Sequence, residues 1–123
     1  MIGAAQALYA YYSSFGLPAY NEMSVPDDAT LPYITYNLQQ GDFCDPVTHY
    51  VQVWDRSYSY SYVAAIADMI VADIGRGKML PYSGGYVCIR PSTPLIQLLA
   101  EEAEGGPTER RAYINLQLNI YGT

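Results

Sequence analysis

The chain has 123 residues, 12 acidic against 6 basic side chains and a net charge of −6, which suits one domain spanning residues 1–123 with its own core. That balance excludes a nucleic-acid-binding surface: the densest basic stretches are Arg76-Gly77-Lys78 and Arg110-Arg111, and phosphate contacts need several cations together. No run reaches the ~18 apolar residues of a membrane span, so a membrane partner is not expected either.

Residues Gly3 to Phe15 read as an amphipathic helix, with Ala4, Leu8, Tyr11, Tyr12 and Phe15 near helical spacing and a stop at Gly16 and Pro18. Pro18 to Pro32 is interrupted by Pro26 and Asp27-Asp28, leaving room for a short strand at Ala19–Met23. Tyr33 to Leu38 alternates, placing Ile34, Tyr36 and Leu38 on one face, and Gln39 to Pro46 is a loop. His49 to Asp55 is a third strand, with Val51 and Val53 opposed to Tyr50, Gln52 and Trp54. The clearest helix covers Ser59 to Ile74: Tyr62, Ile66, Met69, Ile70 and Ile74 make the stripe, Ser57 or Ser59 the cap and Gly75 the end. Lys78–Tyr82 and Tyr86–Arg90 form a hairpin about Ser83-Gly84-Gly85, where glycine takes positive φ at little cost. Pro94–Glu102 is expected to hold a short helix or turn, Glu104–Pro107 a loop, and Thr108 opens the final strand. The expected fold is α+β: an antiparallel or mixed sheet with two helices on one face.

The final strand says most about use. From Tyr113 to Tyr121 the aliphatic row Ile114, Leu116, Leu118, Ile120 opposes Tyr113, Asn115, Gln117, Asn119, Tyr121. The second face is polar without a single charge, although water-facing sheet surfaces ordinarily carry Lys and Glu. The whole chain shares that bias, with 14 Tyr against 2 Phe and 1 Trp, and charged residues at 15% rather than the roughly 25% of soluble domains. Tyrosine is enriched where proteins meet, because it contributes much contact area for little ordering entropy. Two readings therefore stand side by side: a surface that becomes covered by protein, and ordinary tyrosine packing in strands.

A search for chemistry yields no constellation. The single histidine, His49, lies in an alternating strand with no nucleophile motif to serve, so a structural or surface role is expected. Asp42 and Asp45 flank Phe43-Cys44 but lack the regular oxygen spacing of a calcium loop. Glu101, Glu102 and Glu104 sit beside Gly105-Gly106 as a solvated loop rather than a paired-carboxylate site. Cys44 and Cys88 have no metal-ligand spacing, and Cys88 lies between Val87 and Ile89 where an inert buried thiol is expected. No cofactor, no metal and no enzymatic activity are expected. The start, Met1 to Gln6, lacks the features of a secretion signal, so synthesis in the cytoplasm with reduced thiols is the expectation.

Several segments together resemble a family. They are Pro18-Ala19-Tyr20 with Val25-Pro26-Asp27, Leu31-Pro32-Tyr33-Ile34-Thr35-Tyr36, and Val51-Gln52-Val53-Trp54-Asp55-Arg56-Ser57 before a helix containing Ile66-Ala67-Asp68-Met69-Ile70. Ile89-Arg90-Pro91 and Arg110-Arg111-Ala112-Tyr113-Ile114-Asn115-Leu116 complete the set. Over roughly Leu8 to Tyr121 the chain resembles the small tail-terminator and tail-completion proteins of long-tailed bacteriophages. The resemblance implies a ring, six-fold in that family, at the head-proximal end of the tail tube in the virion, made in the host cytoplasm. Its partners would be further copies of itself, the tail tube protein and the head–tail connector protein, and the family carries no catalytic residues.

Under that reading Tyr50, Gln52 and Trp54 together with Tyr113, Asn115 and Gln117 form subunit or tube contacts, the alternative for Trp54 being a core row covered by a helix. Asp42, Asp45, Glu101 and Glu102 would lie on loops facing the lumen or a partner. A head-completion or connector protein makes similar demands on sequence. A carbohydrate-type binding domain would instead gather its aromatics at one concave site, and an enzyme is the weakest reading.

Overall fold

Six strands and two helices follow the order α1 (Ile2–Ser13), β1 (Ala19–Asn21), β2 (Tyr33–Tyr36), β3 (Val47–Ser57), α2 (Ser61–Ile74), β4 (Lys78–Tyr82), β5 (Gly85–Ala100) and β6 (Thr108–Gly122). They come from a computed structural model that describes residues 2–41, 45–100 and 108–122. The strands form one sheet in the order β1-β2-β3-β6-β5-β4. β1 runs parallel to β2 and every other neighbouring pair is antiparallel, so the sheet is mixed and the fold is α+β, as expected.

Register explains which face is core. Val53 pairs with Ile34 and Ala112, Val51 with Tyr36 and Ile114, and Leu118 with Ile89, so these side chains leave the sheet on one side. Both helices cover that side: Ala4, Leu8 and Tyr12 of α1 and Val63, Ala67, Ile70 and Ile74 of α2 join the strand residues in one buried cluster. Each large aliphatic buried there contributes roughly 1.5–3 kcal/mol, which is what holds the helices down.

The observed α2 is rotated from the expected stripe. Val63 and Ala67 face the sheet with Ile70 and Ile74, while Tyr62 and Met69 are exposed and Ile66 is half-buried. Small residues at the contact let the helix lie close to the strands, a preference that ranking residues by hydrophobicity alone misses. Gly75, with φ 57°, ends α2 and its N–H bonds the Val71 carbonyl, as expected. Tyr60 rather than a serine takes the N-cap position, although Ser59 Oγ accepts from the Ser61 N–H at 3.4 Å.

A second correction concerns residues 94–100, expected as a helix or turn. They continue β5, which pairs with β6 through Ile96–Ile114, Leu98–Ala112 and Ala100–Arg110. The register shifts between Pro91 and Ile96, so Pro91 closes the first paired stretch opposite Leu116 and Pro94 falls where the ladder is interrupted and needs no backbone N–H. The short strand at Ala19 is three residues long and ends in a 3-10 turn at Glu22–Ser24, capped by Asn21 Oδ1 accepting from the Met23 N–H at 3.0 Å. At the β4–β5 turn, Gly84 has φ 103°, and a Cβ on Gly85 would collide with the Tyr121 carbonyl.

Candidate assembly surface

The side of the sheet away from the helices carries the second set of alternating residues. Pairing places Tyr50 opposite Asn115, Gln52 opposite Tyr113, Trp54 opposite Arg111 and Thr48 opposite Gln117. All six residues expected at contacts, Tyr50, Gln52, Trp54, Tyr113, Asn115 and Gln117, therefore share one face on the two central strands. The register also brings Thr35 of β2 beside Gln52, Tyr33 beside Trp54 and Tyr20 of β1 beside Thr35. On the other flank Tyr86 pairs with Tyr121 and Cys88 with Asn119.

These side chains are ordered by one another. Tyr50 and Tyr113 stack with ring centroids 5.4 Å apart and planes at 21°. The Tyr50 hydroxyl donates to Glu22 Oε1 at 2.8 Å, and that bond is the largest cause holding its phenol up to about 12. Burial first, then the nearby carboxylate of Glu22, also raises Tyr113, so both phenols are neutral across the physiological range. Trp54 Nε1 donates to Thr35 Oγ1 at 2.9 Å, and the Arg111 guanidinium lies 4.9 Å over the indole ring. Arg111 Nη1 also donates to Gln52 Oε1 at 2.9 Å. Asn115 Nδ2 donates to the Pro94 carbonyl at 2.7 Å and Gln97 Oε1 at 3.2 Å, and Gln117 is exposed. Edge-on contacts extend the patch through Tyr33 and Tyr20, 5.7 Å apart.

Trp54 is thus half-buried beneath Arg111 and beside Tyr33, and neither helix covers it. Gln52 and Asn119 are nearly closed off by their neighbours, so the polar face is more tightly packed than a solvated one. Asp45 is exposed just ahead of β3, whereas Asp42, Glu101 and Glu102 lie outside the described residues. Sequence reading missed Tyr20, Tyr33 and Arg111 as members of this face. Alternation in Tyr33–Tyr36 signalled Tyr33, but the parallel pairing that adds Tyr20 leaves no local mark.

The helix-covered side holds two fully buried ionisable side chains in contact, His49 and Tyr12, and burial pushes the Tyr12 phenol well up. His49 is fully buried, and its Nε2 lies 2.8 Å from the Tyr12 hydroxyl. Its Nδ1 has no hydrogen-bond partner in the structure. Burial lowers its pKa from 6.5 to about 4, offset only in part by the Asn37 backbone, so the ring is neutral at pH 7. Packed among apolar side chains, it is a core histidine. A cleft of about 450 Å³ opens between the Ala29–Leu31 loop, Tyr33, Asp55, Arg56 and Glu109, with acidic and basic groups mixed along its wall. Among the described residues no three His, Cys, Asp or Glu side chains are grouped to hold a metal ion. Comparison with protein-family models, with curated proteins and with solved structures found no match to this chain.

Proposed function

We propose that this protein is a phage virion assembly protein that caps the tail tube as a ring, ending tube growth and providing the surface for head joining. The observation that carries the reading is the uncovered sheet face, where tyrosines, amides and Trp54 form a pre-ordered patch at whose centre Arg111 is spread over the indole and bound to Gln52, with Arg90 beside Gln117 at its flank. Such a patch has little charge to desolvate and several rigid aromatic anchors, the composition found at the centres of protein contacts. The segments resembling tail terminators supply the identity of the assembly, and a net charge of −6 suits a ring that DNA passes without sticking.

Tyr50 stacks on Tyr113 and Trp54 lies under Arg111, and the neighbouring cleft is lined by a single aromatic ring, Tyr33, which weighs against the carbohydrate-binding reading. The test adds the purified protein to growing tail tubes of its phage. Tubes that stop lengthening and carry extra density at one end support the proposal. Tubes that grow unchanged, with the protein left in the supernatant, refute it.

A further inference from the structure

The two strands on the β4–β5 flank treat their outer edges differently. β4 covers β5 only from Gly85 to Ile89, so from Arg90 to Ala100 the outer side of β5 has no strand partner among the described residues. β4, itself at the edge, carries Lys78 and Pro81, a charge and a missing N–H that both discourage strand addition. In the free part of β5 such guards, Arg90 and the prolines at the bulge, all come before Leu95. Leu95-Ile96-Gln97-Leu98-Leu99-Ala100 is uncharged and mostly aliphatic, none of it is fully buried, and Leu98 is 44% exposed. Its inner side is committed to β6 through Ile96, Leu98 and Ala100, which holds the strand extended and ready to pair.

We infer that this edge is a homotypic contact: the free halves of β5 from two copies pair antiparallel about a two-fold axis. Charge selects the occupant. Copies carrying −6 each repel over most of their surface, and the stretch from Pro91 to Ala100 contains no acidic residue. Antiparallel self-pairing aligns equal lengths of strand and sets the same aliphatic side chains against each other, and the shortness of β4 leaves a step in the sheet that accepts the partner's strand. An isologous contact of this kind cannot itself close a ring. It goes beyond the ring reading, pairing single chains or joining two rings back to back. With about six residues a side, it is smaller than the roughly 1,200–2,000 Å² of a standard stable interface, so it is reversible.

The test is mass by light scattering over a concentration series, for wild type and for Leu98→Lys and Ala100→Lys, both at exposed positions on the side of β5 away from the tyrosine face. Each charged variant is expected to halve the largest wild-type mass while keeping the wild-type circular dichroism spectrum and melting temperature. Amide exchange at residues 95–100 should slow in the wild type at the concentrations where mass rises. Wild type that stays monomeric up to about 1 mM overturns the inference, as does an unchanged mass in both variants, or association without slowed exchange at residues 95–100. Six-fold rings that survive Leu98→Lys at the same mass would keep the ring reading and remove this contact. Dimers without rings that the variant splits would do the reverse.

Discussion

Acidification probes the helix–sheet interface through His49. In the folded chain its pKa is lowered to about 4, against 6.5 when unfolded. Between those values the unfolded state binds more protons, so stability is fully present above pH 6.5 and is lost as pH falls toward 4. With one pKa unit worth about 1.36 kcal/mol, the loss between pH 7.5 and pH 5 is about 2 kcal/mol. For an m-value of about 1.3 kcal/mol per M, the urea midpoint should fall by about 1.5 M across that interval. The physical origin is specific: a cation would form in a fully buried ring, with Nε2 against the Tyr12 hydroxyl and only partial help from the Asn37 backbone. Urea titrations of wild type and His49→Gln at pH 7.5, 6.5, 5.5 and 5 provide the assay. Whatever its baseline stability, the variant should lose most of the pH slope. Equal slopes in both proteins would refute the argument, since the titrating group would then lie elsewhere.

Two further substitutions separate core from surface. Leu116→Ala, on the buried side of β6, should cost about 2–5 kcal/mol of unfolding free energy; Trp54→Ala should cost clearly less and instead abolish assembly, and equal destabilisation would make Trp54 a core residue. Gly85→Ala puts a methyl group against the Tyr121 carbonyl and should cost at least about 1–3 kcal/mol, read as a lowered melting temperature; an unchanged one would mean the β4–β5 turn relaxes freely.

Where the chain alternates, the sequence was transparent. β3 and β6 follow from a period of two, and their aliphatic rows share the core as expected. Helix ends marked by Gly16 and Gly75 were also legible, because positive φ favours glycine. Two features were hidden for physical reasons. The distal half of β5 has mixed helix and strand propensity behind two prolines, and only pairing with β6 decides it. The facing side of α2 is set by how closely the helix can approach the sheet, so Ala67 is buried and Met69 exposed. As for the candidate surface, alternation in two separate strands identified its six central residues. What brought them together was register, which places Tyr50 beside Asn115 and Gln52 beside Tyr113 through contacts more than fifty residues apart in sequence. Arg111 over Trp54 depends on the same register and could not be read locally.

The central claim, that the uncovered face of the sheet builds a ring, is tested most directly by solution mass over a concentration series together with negative-stain images of the largest species. Closed rings with six-fold end views are expected in the wild type, and they should disappear in Trp54→Ala while the variant stays folded. A chain that is monomeric at every concentration, or rings that persist unchanged in Trp54→Ala, would contradict that claim.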